Sequence, residues 1–238
     1  MRILSMVHGR LAQPELFADV ILAEGHELEE WSLIDEPAPP RRVEDYDAVI
    51  CLGGHMNVDQ EQTHPWLRVE DDVIRDLLAR GVPFFGICLG GQLLAKAADA
   101  WVGPSPEPER GFTRTTLSDD AADDSVFGGL PREFDVFNLH GYAFATPAGG
   151  VELARSRVCV QAIRVGDSAW GVQFHPEVRL EQVEAWFATE ETVRDGQRVL
   201  AELRERIDEW QRFGEGLCRA FLAAAAMPRA ESANAEAR

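Results

Sequence analysis

Cys88 stands at the end of the apolar run Val82-Pro83-Phe84-Phe85-Gly86-Ile87 and is followed by Leu89-Gly90-Gly91-Gln92, where a helical pattern begins. A thiol lifted out of a strand-to-helix turn can attack a carbonyl carbon. Gly86 and Gly90 leave room for a crowded backbone, and the free N–H groups that open the helix favour an anionic sulfur. The spacing Gly-x-Cys-x-Gly describes an incidental thiol in a glycine-rich connection equally well. A nucleophile further requires a base and donors for an oxyanion.

Of the six histidines, at 8, 26, 55, 64, 140 and 175, no two have the His-Glu-x-x-His spacing of a zinc hydrolase. His175 is set apart by its surroundings. The apolar stretch Trp170-Gly171-Val172-Gln173-Phe174 leads into it, Pro176 stiffens the chain, and Glu177 comes two positions on. In an extended segment residues i and i+2 share a side, so Glu177 can hold the imidazole ring and its tautomer.

These side chains meet only if the strands ahead of Cys88 and His175 run parallel in one sheet. The pattern of the chain predicts that. Strands are expected at 3–7, 28–33, 47–52 and 82–87, and amphipathic helices at 14–24, 65–80 and 89–98. Beyond Gly103 the segment Pro104-Ser105-Pro106-Glu107-Pro108 reads as a loop. Strand signals at 134–138, 158–165 and 170–174 lie close enough together for antiparallel pairing. A helical stretch from Leu180 to about Ala226, broken near Asp195-Gly196, closes the fold, and 227–238 reads as a polar tail. The expected fold is α/β and flavodoxin-like: three layers, a mostly parallel central sheet with helices on both faces, some antiparallel strands in the second half, and one domain over residues 1–226.

The 238 residues carry 41 acidic and 23 basic side chains, a net charge of −18, and Lys96 is the only lysine. Such a surface repels phosphate backbones and anionic membranes. No apolar run approaches the ~18 residues that span a bilayer, and the start at Met1–Val7 is too short for a signal-peptide core. A cytoplasmic protein that binds neither nucleic acid nor membrane is expected. Cys51, Cys159 and Cys218 sit in apolar patterns and read as packing thiols; with Cys88 they form no metal-binding spacing, and neither a metal nor an organic cofactor is expected.

The stretch Gly86-Ile87-Cys88-Leu89-Gly90-Gly91-Gln92-Leu93-Leu94-Ala95, taken with Gln173-Phe174-His175-Pro176-Glu177, resembles the class I (triad) glutamine amidotransferases. Shorter matches at Leu52-Gly53-Gly54-His55-Met56-Asn57-Val58, His64-Pro65-Trp66-Leu67, Glu109-Arg110-Gly111-Phe112 and His140-Gly141 extend the resemblance over about residues 45–180. The Pro-Trp-Leu element is most similar to small stand-alone members akin to the glutaminase domain of GMP synthase.

The resemblance implies Cys88 as nucleophile, His175 as general acid and base, Glu177 as its orienter, and the backbone N–H groups of Gly54 and Leu89 as oxyanion donors. It places Gly53, Gln92, Gly141 and Tyr142 around the substrate. The implied reaction is hydrolysis of the side-chain amide of glutamine, or of a related γ-glutamyl amide, through a γ-glutamyl thioester. Ammonia would pass to a separate synthetase subunit. The alternatives are a stand-alone γ-glutamyl peptide or amine hydrolase, a non-catalytic regulatory relative, and a cysteine hydrolase of another elbow-bearing family. His55 stands where a proline often follows the glycine pair, and Tyr142 where many relatives have an acid. His140 reads as a structural hydrogen-bonding residue.

Overall fold

Ala48–Cys51 and Phe84–Ile87 are buried at every position, which a strand achieves only where helices cover both faces of its sheet. A computed structural model, describing residues 1–189 and 196–227, shows this sheet. Its elements are β1 (Arg2–Val7), α1 (Glu15–Ala23), β2 (Glu27–Ser32), β3 (Ala48–Cys51), α2 (Trp66–Ala79), β4 (Phe84–Ile87) and α3 (Leu89–Ala97). They are followed by β5 (Val102–Leu117), β6 (Glu133–Phe144), β7 (Val151–Ser156), β8 (Val160–Val165), β9 (Ala169–Val172), α4 (Leu180–Thr189) and α5 (Gly196–Ala225). The strands form one sheet in the order β2-β1-β3-β4-β9-β8-β7-β5-β6. From β2 to β9 neighbours are parallel, and from β9 onward they are antiparallel.

Alternation along the central strands splits the core in two. Ile50, Phe85 and Ile87 pack toward Phe17 and Ile21 of α1 and Leu217 and Phe221 of α5. Val49, Cys51 and Phe84 face Leu67, Ile74 and Leu77 of α2 and Leu93 of α3. Among the described residues no helix is long and apolar enough to cross a membrane.

The parallel half follows the sequence pattern to within a residue or two at each end. The second half corrects it. Pro104 to Pro108 is not a loop between elements but part of β5, whose pairing with β6 slips between Pro104 and Glu109. Three prolines remove three ladder donors, so the strand continues there with its register broken. β7 has no counterpart in the sequence reading, because Val151-Glu152-Leu153-Ala154-Arg155-Ser156 lacks a regular alternation of apolar and polar residues. The predicted break near Asp195-Gly196 lies partly outside the described residues, with α5 starting at Gly196. The expected tail, past Met227, lies outside them as well.

Candidate active site

Order in the sheet decides what can meet. β1, β3, β4 and β9 are parallel neighbours, so their carboxyl ends share one edge. Just past those ends come His8, Gly53-Gly54, Cys88 and His175. The chain leaves β1 toward β2 on one side and β3 on the other, and ligands bind at such a switch point in open α/β sheets. A cleft of about 740 Å³ opens there, with Cys88, His175, Gly54 and Leu89 in its wall.

Cys88 sits at φ 50° and ψ −105°, immediately before α3. A non-glycine residue in such a conformation costs on the order of 1–3 kcal/mol, held in place by its surroundings. Those surroundings are tight. The Cys88 N–H donates to the Val172 carbonyl at 2.8 Å, and the Gly90 N–H to Leu52 at 3.2 Å. A Cβ on Gly86 would lie 2.4 Å from the Gly90 oxygen, and one on Gly90 only 2.2 Å from the Cys51 oxygen. Gly90→Ala therefore has to push α3 off β3. A loss of about 3 kcal/mol or more is expected, seen as a melting temperature lower by about 6–12 °C. An unchanged melting temperature would mean that the turn is looser than described.

His175 Nδ1 lies 2.9 Å from Glu177 Oε1, the two side chains being 6% and 3% exposed. A carboxylate only accepts, so the ring N–H at Nδ1 donates and the other ring nitrogen is left free, while the charge of the Cys88 sulfur acts on the same ring. Burial alone would hold the imidazole neutral. The charges of Glu177 and Cys88 outweigh it and push the pKa up from 6.5 to about 10. The group thus contributes stability that is complete below 6.5 and is lost as pH rises through about 10. In urea unfolding, the gap in stability between the wild type and His175→Gln should narrow steadily across that window. A gap independent of pH would contradict an imidazolium here.

The segment carrying His175 is held from three sides. Its N–H donates to the Phe137 carbonyl at 2.9 Å, and the Leu16 N–H donates to the Glu177 carbonyl at 3.1 Å. Trp210 of α5 donates from Nε1 to the His175 carbonyl at 2.9 Å. One turn on, Gly214 packs so closely that a Cβ would lie 2.0 Å from the Pro176 oxygen. Trp186 of α4 approaches the imidazole edge-on, with ring centroids 5.1 Å apart, while its Nε1 donates to the Leu11 carbonyl at 2.6 Å.

The expected oxyanion donors lie on this edge too. Leu89 opens α3, where an N–H has no partner in the helix, and among the described residues neither its N–H nor that of Gly54 makes a backbone hydrogen bond. Gly53 is pressed against the pair: a Cβ there would stand 3.0 Å from His175 Cε1 and 3.6 Å from Cys88 Cβ. Gln92, read as a substrate contact, is engaged with protein, donating to the Tyr142 carbonyl at 3.3 Å and to Gln173 Oε1 at 3.2 Å. Gln173, which the sequence reading did not single out, donates to Cys88 Sγ at 3.6 Å. Gly141 and Tyr142 line the cleft, and the Tyr142 hydroxyl donates to Asp59 at 3.1 Å. His55 is exposed at the mouth, edge-on to His64. His140 is buried, 2.9 Å from the Tyr142 carbonyl and 3.2 Å from Glu109.

Among the described residues, two buried groups of three could hold a metal ion by ligand type, His8-Cys51-Glu70 and Glu109-His140-Cys159. Both are knit by hydrogen bonds. Glu70 Oε1 lies 2.9 Å from His8 Nε2 and accepts from Cys51 at 3.1 Å. Glu109 accepts from Gln161 at 2.7 Å and from Cys159 at 3.2 Å. Burial, reinforced by Glu109, raises the Cys159 thiol to about 12, and burial with Glu70 pushes Cys51 up as well. Both thiols are thereby held neutral. His8 and Glu70 escaped the sequence reading although both carried a signal: His8 ends an apolar strand as His175 does, and Glu70 is the one charge on the buried stripe Leu67, Glu70, Ile74, Leu77 of α2.

Residues 21–191 match the family profile described as glutamine amidotransferase class-I. The glutamine-hydrolyzing GMP synthase of Thermomicrobium roseum is 34% identical over 153 residues, 63% of this chain and 25% of the relative, so the chain spans about a quarter of that protein. A subunit of the glutamine-hydrolyzing GMP synthase of Sulfurisphaera tokodaii is 33% identical over 62% of this chain and 76% of its own length. The gamma-glutamyl-L-1-hydroxyisopropylamide hydrolase of a Pseudomonas species is 32% identical over 56% of this chain and 48% of its own. A glutamine amidotransferase from Thermotoga maritima superimposes with a TM-score of 0.85 at 25% identity, covering 95% of this chain and 99% of the other. The chain belongs to the class I glutamine amidotransferase family.

Proposed function

We propose that this protein hydrolyses the γ-amide bond of glutamine or of another γ-glutamyl compound through a thioester on Cys88. One observation carries the reading: a cysteine held at positive φ on the edge where a Glu177-bound imidazole stands beside it, both packed against Gly53. The Cys88 thiolate attacks the amide carbon, and the developing oxyanion takes hydrogen bonds from the Gly54 and Leu89 N–H groups. As the C–N bond breaks, imidazolium 175 gives its proton to the leaving nitrogen. Water then attacks the thioester, His175 takes a proton from it, and the sulfur departs to leave a γ-carboxylate. Every proton is handled by one ring, which Glu177 keeps in one orientation.

A second reading concerns the amine that leaves. Leu11, Trp186 and Phe187 line the cleft, with Trp186 directly beside His175, the group that must face the leaving nitrogen. This apolar flank suits a γ-glutamyl conjugate of a carbon-bearing amine, as the name of the Pseudomonas relative describes for that protein. Relatives named as subunits of GMP synthase instead favour ammonia supplied to a synthetase. The test is to incubate the purified chain with glutamine and a panel of γ-glutamyl amides, measuring glutamate release, and to locate the mass added by a glutamine-mimicking alkylator. Label on Cys88 with turnover of at least one compound supports the reading. Alkylation elsewhere, or no turnover with or without a synthetase, defeats it. Fast release from alkyl amides without a partner selects the stand-alone hydrolase.

A further inference from the structure

Gly53 and Gly54 follow β3 in succession, and a peptide between two glycines is free to rotate because neither residue has a Cβ to restrict it. The Gly53 carbonyl and the Gly54 N–H belong to one planar trans unit and so point in opposite directions. Fixing the carbonyl therefore aims the N–H. His8 Nδ1 lies 2.9 Å from that carbonyl; a carbonyl only accepts, so Nδ1 carries the hydrogen and donates. The ring is itself held. Its Nε2 lies 2.9 Å from Glu70 Oε1, and its face stacks on Trp66 with centroids 5.3 Å apart and planes 17° off parallel. Glu70 is 0% exposed, takes a second bond from Cys51, and leaves Oε2 without a partner in an otherwise apolar helix face. A carboxylate in such a place is costly unless a partner needs it there.

We propose that His8, anchored by Glu70, is a positioning residue that locks the Gly53-Gly54 peptide with the Gly54 N–H directed into the cleft. The inference rests on the proposed role of that N–H toward the oxyanion. A hydrogen bond on the carbonyl also polarises the amide and strengthens its N–H as a donor. His8 thus acts on the transition state from the far side of a peptide plane, without touching the substrate.

The experiment compares two double variants, both removing the buried carboxylate so that no unpaired charge remains. His8→Leu with Glu70→Leu eliminates the bond to Gly53; His8→Asn with Glu70→Leu restores an amide donor at the position of Nδ1. The first should lower kcat by about 10²–10³-fold, the cost of losing one oxyanion donor, with KM changed by less than about threefold. Alkylation of Cys88 by iodoacetamide, a displacement that forms no oxyanion, should proceed at the wild-type rate. The second should recover kcat at least tenfold over the first. Wild-type kcat in the leucine pair, a parallel fall in alkylation, or no recovery with asparagine would each overturn the proposal. Wild-type turnover measured alongside, with Cys88→Ala as blank, reports separately on the hydrolytic reading.

Discussion

Cys88→Ala is expected to lower γ-glutamyl amide turnover by on the order of 10⁶-fold, the scale seen when a nucleophile acting with its base is removed. What remains is catalysis by binding and oxyanion donors alone. The fold should survive, because alanine keeps the same backbone strain at φ 50°, the close backbone contacts of the turn are made by Gly86, Gly90 and Gly91, and the sulfur gives up only a long hydrogen bond from Gln173. Steady-state glutamate release and a thermal melt on one preparation check both halves. A variant that still turns over within tenfold of the wild type would remove Cys88 from the chemistry.

Glu177→Gln should cost about 10⁴-fold in kcat with little change in KM, as when the orienting carboxylate of a comparable triad becomes an amide. An amide can present N–H or oxygen to Nδ1, so it no longer selects the tautomer that leaves the other nitrogen free for sulfur. It also removes one of the charges that raise His175 to about 10, so the ring becomes a weaker donor of positive charge to the thiolate. The alkaline limb of the pH–rate profile should move to lower pH in this variant. An unmoved limb together with wild-type kcat would leave Glu177 a purely structural residue.

The parallel half of the sheet was readable from the chain because its signals are local: apolar runs at Ala48–Cys51 and Phe84–Ile87, and an amphipathic helix ending at Gly81, which adopts φ +62°. Cys88, His175 and Glu177, which the structure brings to one edge, were readable as candidates for the same reason, each lying in a short segment of distinctive type. The antiparallel arm was not. β5 alternates buried and exposed residues from Glu109 to Leu117, but its prolines announce a loop, and its pairing depends on partners far along the chain. The substrate pocket was harder still. Gln92 is a reasonable ligand residue by position, yet its amide is engaged by Tyr142 and Gln173, an arrangement set by three elements at once. Glu70 could have been found from its misplaced charge, and His8 from its strand end, had the two been considered together.

The seat of the imidazole has a temporal consequence. Trp210 and Gly214 grip the backbone at His175 and Pro176 from a helix made after every strand. A growing polypeptide therefore acquires Cys88 and its turn well before the contacts that seat His175 and Pro176 are complete. A ribosome-bound chain that stops short of Trp210 would lack the α5 side of the core around Cys88 and two of the contacts on the His175 segment, and this edge of the sheet would be complete only when the last helix docks.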